Sequence, residues 1–167
     1  MKLRARLSFA ALISVLGFGA TSNAWADNIY LHIPGVTGSV TQAPYAGDIE
    51  ILSYSQGFSN PQAPNSTPSC SDTSVMKAID VTSQYFARSV LDLSTAPFTA
   101  TFYFANSSTF VASTTIKMSG VTVTSVQHAA SAGGGPITES ISMHATSLFV
   151  TFTDPSGAKK SYTATCQ

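Results

Sequence analysis

From residue 28 onward, apolar and polar residues alternate along much of the chain. Alternation with a period of two predicts half-buried β-strands. In the first strand, Ile29, Leu31 and Ile33 occupy one face. Tyr30 and His32 occupy the other face. The predicted strands are residues 28–33, 48–58, 74–79, 98–105, 110–128, 137–152 and 161–166. Residues 60–71, rich in Pro, Ser and Asn, predict a loop.

The period becomes helical in one segment. Its apolar and small positions are Tyr85, Phe86, Ser89, Val90 and Leu93. We expect a helix of about three turns there, with Thr82 or Ser83 capping its start. Pro97 prevents its continuation.

The strand predicted at residues 110–128 contains an irregularity at Ser119-Gly120, where the apolar positions change parity. Such a change predicts a β-bulge. Residues 133–136, Gly-Gly-Gly-Pro, predict a turn. The pattern therefore predicts a mainly β protein, with two antiparallel sheets forming a β-barrel or sandwich and one short α-helix on the side.

The first 26 residues have the organisation of a cleavable secretory signal peptide. Basic residues at positions 2, 4 and 6 precede an apolar run over residues 7–20. That run is shorter than the roughly 18–20 apolar residues that span a bilayer. Ala24-Trp25-Ala26 supplies a cleavage site between Ala26 and Asp27. We expect residues 27–167 to form one exported domain, periplasmic or secreted.

Removal of the signal leaves five basic and eight acidic residues, a net charge of −3. This balance disfavours nucleic acid, whose phosphates require a basic surface, as a partner. It also disfavours binding to anionic lipid, so we expect no membrane association after signal removal.

Both cysteines, Cys70 and Cys166, lie in the exported part. In an oxidising compartment they are expected to form a disulfide, with two unpaired thiols as the alternative. Neither has a Cys or His neighbour at the spacing of a metal site.

Candidate chemistry is sparse along the chain. The three histidines, His32, His128 and His144, lie on predicted strands without metal-ligand spacing and are interpreted as outward-facing polar residues. Asp48 and Glu50 share one strand face, which is more typical of an exposed surface than of a glycosidase pair. We expect no catalytic residue, no metal site, no cofactor and no enzymatic activity, with a hydrolase as a minor alternative.

Four segments resemble, in order, the haemolysin-coregulated protein (Hcp) family of type VI secretion systems. They are residues 29–38 (IYLHIPGVTG), 48–57 (DIEILSYSQG), 76–83 (MKAIDVTS) and 136–142 (PITESIS). The positions that carry the resemblance are Gly35, Gly38, Asp48, Glu50, Leu52, Ser53, Tyr54, Gly57, Thr138, Glu139 and Ser140.

The resemblance implies two sheets closed into a barrel with a helix packed on one side. It also implies hexameric rings that stack into a secretion tube, so that the main partner is the chain itself. Other type VI secretion components or effector cargo are further partners that it implies.

The predicted signal peptide distinguishes this chain from the tube subunits of the family, which are made without one. The alternative is therefore a standalone periplasmic or extracellular Hcp-like binding domain that is not part of a secretion tube.

Overall fold

The computed structural model describes residues 28–59, 69–92, 94–130 and 132–166. The predicted signal peptide and the cleavage site at Ala26 and Asp27 lie outside these residues. The strands are β1 Asn28–His32, β2 Ile49–Ile51, β3 Ser53–Ser55, β4 Phe58–Ser59, β5 Ser69–Cys70, β6 Thr73–Ala78, β7 Phe98–Ala105, β8 Ala112–Ala129, β9 Thr138–His144, β10 Ser147–Thr153 and β11 Lys159–Thr165. The helix is α1 Ser83–Leu91.

All strand pairs among the described residues are antiparallel. The main sheet has the order β2-β1-β7-β8-β9-β6-β3, and β10 and β11 extend from the first half of β8. The long strand β8 pairs with β7 and β10 along its first half and with β9 along its second half. It thereby joins two sheets, and the predicted mainly β class is confirmed.

The core lies between these two sheets. Leu31, Phe102, Ile116 and Val150 stand in register across β1, β7, β8 and β10, and all four are buried. The helix adds Phe86, which is fully buried in the same cluster. Burial of such side chains contributes about 1.5–3 kcal/mol each, which makes this cluster the main source of stability.

Tyr30 lies on the opposite face of β1 but is also buried, so the expectation of a half-buried strand is wrong at this position. The loop formed by residues 34–48 folds over it and stacks Tyr45 on its ring, with centroids 4.3 Å apart. Tyr103 contacts the same Tyr45 ring at 5.3 Å. Because Tyr45 lies in a loop and is distant from Tyr30 in the sequence, the contact between them produces no periodic pattern of apolar residues.

The predicted bulge in β8 is confirmed. Phe98 pairs with Val121 and Ala100 with Met118, so one residue of β7 opposes Ser119 and Gly120. Gly120 has φ +60°, a conformation that glycine adopts most readily.

The strand predicted at residues 137–152 is wrong as a single element, because β9 and β10 are separated at Ala145-Thr146. The break lies opposite the β8 bulge, and the backbone N–H of Thr146 donates to the carbonyl of Ser119 at 3.0 Å. Since β8 changes direction there, its antiparallel neighbour cannot follow it as one strand. The chain therefore pairs with each half of β8 through a separate strand.

The strand predicted at residues 48–58 is also wrong as a single element. β2 pairs with β1, β3 with β6, and β4 with β5. Between β2 and β3, the N–H of Leu52 donates to the carbonyl of Met76 at 2.7 Å. At this residue the segment passes from one sheet to the other. The change of partner strand interrupts the hydrogen-bond ladder, but the alternation of apolar and polar residues in the sequence continues.

The helix is confirmed, although its predicted cap is wrong. No side chain caps it from Thr82; the Thr82 hydroxyl instead donates to the Asp80 carboxylate at 2.6 Å. Ser83 donates to Glu139 at 2.6 Å. Both hydroxyls are therefore engaged in a polar cluster beneath the helix. Leu93 lies outside the described residues.

Within the loop predicted at residues 60–71, Ser69–Cys70 form β5 instead. The other elements follow the predictions closely. Residues 74–79, 98–105 and 161–166 correspond to β6, β7 and β11. The strand predicted from residue 110 starts at Ala112 instead, because Phe110 has φ 54° and cannot continue an extended strand. Residues 132–134 form the turn expected between β8 and β9.

Candidate functional site

The glycines of the first family segment shape the loop of residues 34–48. Gly35 has φ +82°, as the turn after β1 requires. A Cβ on Gly38 would overlap the backbone of Asp48 and Ile49. The Gly38 N–H donates to the Gly47 carbonyl at 2.7 Å. The loop therefore folds back on itself, with its beginning against its end, and leads into β2.

This return places Asp48 against His32 at the end of β1. The Nδ1 atom of His32 lies 2.8 Å from Oδ1 of Asp48. The Asp48 side chain is 9% exposed and the His32 side chain 49% exposed. A buried carboxylate therefore orients an accessible imidazole whose Nε2 is left for another partner.

The second family segment divides between exposed and packed positions. Glu50, Leu52 and Ser53 are exposed. Tyr54 packs edge-on against Phe102 and Phe104, with centroids 4.9 and 5.1 Å away. Burial raises the pKa of Tyr54 well above its usual range, so its phenol is neutral and donates to Gln56 at 2.7 Å.

Gly57, the last position of that segment, lies beside the disulfide. The Gly57 N–H donates to the Ser71 hydroxyl at 2.7 Å, and the Ser71 N–H donates to the Gly57 carbonyl at 2.9 Å. The predicted bond between Cys70 and Cys166 is present, with Cα atoms 5.0 Å apart. It joins β5 to the residue that follows β11.

A buried ion pair joins the third and fourth segments. Nζ of Lys77 lies 2.7 Å from Oε1 of Glu139, and both side chains are at most 1% exposed. The same ammonium donates to Asp80 at 2.8 Å and to Ser83 at 3.2 Å. This cluster connects β6, β9 and the start of α1.

The hydrogen bonds of this cluster lower the pKa of Asp80. Burial raises the pKa of its carboxyl, but hydrogen bonds from Lys77 and Thr82 outweigh burial and hold that pKa below the ordinary 3.8. Thr138 and Ser140 flank Glu139 on β9, opposite Ala78 and Met76 of β6. These positions therefore serve the sheet and the helix start.

The three histidines face outward, with side chains 38–53% exposed, and each also lies beside a carboxylate, which the sequence did not predict. His128 Nε2 lies 3.3 Å from Oε2 of Glu139, and His144 Nδ1 lies 3.3 Å from Oδ1 of Asp72. Glu139 lies on β9 and Asp72 lies between β5 and β6, so neither shares a strand with its histidine and sequence spacing carried no signal for them. Among the described residues, no group of three or more His, Cys, Asp or Glu could hold a metal ion.

A cavity of about 760 Å³ lies beside the loop of residues 34–48, on the outer side of the sheet. Gly35, His32 and Asp48 line it. Sequence analysis identified these residues separately but did not predict a shared cavity. Its opposite wall belongs to β8, β10 and β11, which follow 60 or more residues later.

Within the part of the chain that the structure describes, no helix is long and apolar enough to cross a membrane.

The fold is similar to that of several solved structures. A type VI secretion system effector from Yersinia pestis matches with a TM-score of 0.72 and 19% identity, over 82% of this chain and 98% of that chain. Hcp1 from Salmonella typhimurium matches with a TM-score of 0.73 and 14% identity, over 83% and 93%. The secreted protein Hcp3 from Pseudomonas aeruginosa matches with a TM-score of 0.65 and 10% identity, over 83% and 99%.

No curated protein matches the chain. The family model described as "Type VI secretion system effector, Hcp" matches residues 30–152. This match spans β1 to β10 and contains all four segments that carry the resemblance, save Ile29 at its edge. Because the match covers most of the chain, the protein belongs to the Hcp family of type VI secretion system effectors.

Proposed function

We propose that residues 27–167 act as a non-enzymatic, self-assembling component of a type VI secretion system, with a hexameric ring as the assembled form. The observation that carries this proposal is the family match over residues 30–152. The partner in the ring is a second copy of this chain.

The edge of the main sheet offers a surface for such assembly. β11 pairs only with β10 among the described strands, so its outer edge has unpaired backbone groups. Phe149, Phe152 and Tyr162 are each 44–47% exposed on these two strands. An open edge beside exposed aromatic residues is typical of a protein interface.

Assembly can be tested by light scattering coupled to size exclusion on purified residues 27–167. We expect a mass near six times that of the monomer, independent of dilution over a wide range. A lysine on the open edge, in Thr163→Lys, is expected to shift the ring toward monomer because the charge would be poorly paired at a contact.

The matched control is Gln84→Lys, which places the same charge on the exposed side of α1. It is expected to keep the ring. A monomeric wild-type protein would remove the ring from the proposal, and equal dissociation by both variants would remove the edge as its interface.

A second function, a standalone exported Hcp-like binding domain, is favoured by one observation. Cys70 and Cys166 form a disulfide, and such bonds persist mainly in oxidising compartments. Together with the predicted signal peptide, this supports an exported subunit rather than one assembled in the cytoplasm. A monomer recovered from the periplasm, cleaved before Asp27, is the result expected of this second function.

A further inference from the structure

The cavity beside the loop of residues 34–48 is separate from the core. Its floor is the outer face of the sheet, where Tyr103, Thr115 and Thr151 stand in register across β7, β8 and β10. Its volume of about 760 Å³ is within the range of roughly 300–1,000 Å³ that small-molecule sites occupy.

Three polar side chains that line this cavity are unpaired among the described residues. Among the described residues, no hydrogen bond or ion pair engages the side chains of Thr115, Thr151 or Lys159. Each threonine hydroxyl can both donate and accept, and the lysine ammonium donates three hydrogen bonds. The cavity thus presents threonine hydroxyls on its floor and the ammonium of Lys159.

Two tyrosines, Tyr45 and Tyr103, also line the cavity and are held by contacts with each other. The ring of Tyr45 is fixed between Tyr30 and Tyr103, and its hydroxyl donates to the Phe110 carbonyl at 3.1 Å. Burial, and then the Asp48 carboxylate, raise the pKa of Tyr103. Its phenol is therefore neutral at physiological pH. A half-buried tyrosine offers an apolar ring and a polar hydroxyl to the same ligand.

His32 adds an oriented polar group. Asp48 accepts the hydrogen bond from Nδ1, so Nε2 is the ring nitrogen available to a ligand in the cavity. With the proton on Nδ1, Nε2 accepts a hydrogen bond from a ligand hydroxyl, and Lys159 is the group of this lining that favours an anionic oxygen. Asp48 itself is engaged by His32.

We propose that this cavity binds a saccharide that carries a carboxylate, with the sugar ring against Tyr103. Sugar hydroxyls pair with Thr115 and Thr151, since both partners donate and accept. The carboxylate pairs with Lys159, and the apolar C–H face of the sugar covers the tyrosine ring. The site goes beyond the proposed function, because one subunit contains all of it and assembly is not required.

Isothermal titration calorimetry of residues 27–167 with trigalacturonic acid tests the proposal. The neutral trisaccharide of N-acetylglucosamine is the comparison ligand. We expect saturable binding of the acidic trisaccharide and binding of the neutral one that is about tenfold weaker or more, as the loss of a charge-assisted hydrogen bond predicts.

Two neighbouring lysines provide a matched pair of variants. Lys159 lines the cavity, whereas the adjacent Lys160 does not, and both are exposed on β11. Lys159→Gln is expected to weaken binding of trigalacturonic acid about tenfold or more, and Lys160→Gln to leave it within about twofold. Both variants lose the same charge, so long-range attraction affects them equally.

Thr151→Val tests the hydroxyl wall without a change of charge. We expect it to weaken both trisaccharides by about fivefold, the loss of one neutral hydrogen bond. A circular dichroism spectrum equal to that of the wild type identifies a folded variant.

No saturable binding of either ligand, or equal weakening by Lys159→Gln and Lys160→Gln, would overturn the proposal. Size exclusion of the same samples reports the ring separately, so failure of the site and failure of the assembly are distinguishable.

Discussion

At the scale of single residues, the buried pair of Lys77 and Glu139 is the most consequential polar contact. Both side chains are almost fully removed from solvent and their charged atoms are 2.7 Å apart. Taking two charges out of water is costly, and only close pairing with further hydrogen bonds offsets that cost. Removal of one partner is therefore expected to lower the free energy of unfolding strongly. Replacement of both partners by apolar residues is expected to lower it less.

Glu139→Gln is expected to lower the free energy of unfolding by about 3 kcal/mol, because Lys77 would lose a buried counter-charge. Urea unfolding of the purified variant measures this. The control is Glu50→Gln on an exposed position, expected to change stability by less than about 0.5 kcal/mol. The double variant Lys77→Met with Glu139→Leu is expected to be more stable than Glu139→Gln. A double variant less stable than the single one would contradict this account.

Asp80 gives the cluster a pH dependence. Its pKa in the folded protein lies below the ordinary 3.8, so the folded state binds fewer protons there than the unfolded state. The stabilisation from Asp80 is therefore fully present above the unfolded pKa and is lost as pH falls through the folded pKa. Asp80→Asn should be less stable than the wild type at pH 7, with a difference that shrinks below about pH 4. Urea unfolding at several pH values measures the difference, and a constant gap from pH 7 to strongly acidic pH would contradict the prediction.

At the scale of elements, β7 was predicted well, and it keeps the same two neighbours, β1 and β8, along its length. Residues 98–105 were predicted to the residue as β7, because their alternation faces the core along the whole strand. Residues 48–58 and 137–152 were predicted as single strands because alternation continues through their breaks. The breaks at Leu52 and Ala145-Thr146 arise from a change of partner, which only tertiary structure contains.

The candidate site was less predictable than the fold for the same reason. Asp48 and Glu139 were identified as family positions, but their partners His32 and Lys77 lie 16 and 62 residues away in the chain. No periodic pattern connects residues at such distances. The disulfide was the exception, since only two cysteines were available to pair.

That disulfide fixes the last strand of the sheet. β11 has no second neighbour among the described strands, and Cys166 at its end is bonded to Cys70, 96 residues earlier. A cross-link of that span restricts the unfolded chain, which corresponds to about 4–5 kcal/mol in the chain-entropy estimate. We expect Cys70→Ser with Cys166→Ser to lose stability on this order in urea unfolding.

Free-thiol titration of the unfolded, unreduced wild-type protein provides the control for that measurement. We expect no titratable thiol. Detection of two thiols would contradict the disulfide, and a double variant as stable as the oxidised wild type would contradict its role in holding β11.

At the scale of the whole molecule, charge distribution separates the surfaces of the domain. Of the five basic residues after position 26, Lys77 is buried in its ion pair. Lys117, Lys159 and Lys160 lie on β8 and β11, which are both close to β10. Asp154 lies in the turn between β10 and β11. Three of the five basic residues thus lie in this part of the sheet, and Lys159 places a cation for an acidic ligand in the proposed cavity.

The predicted export of the chain is expected to be coupled to its folding through the disulfide. The chain requires an oxidising compartment for the bond between Cys70 and Cys166, and residues 1–26 are the predicted route to it. Expression of residues 1–167 in a bacterial host should yield periplasmic protein that begins at Asp27 and lacks free thiols. Expression of residues 27–167 in a reducing cytoplasm should yield the same domain with both thiols free and a lower midpoint of urea unfolding. Intact mass spectrometry separates the two, because cleavage removes the mass of residues 1–26 and the bridge removes two hydrogens.

Retention of Met1 on the protein from the first expression would contradict the signal peptide, and equal unfolding midpoints would contradict the coupling. Since both forms carry the same residues from Asp27 onward, any difference in stability between them comes from the compartment in which the chain folds.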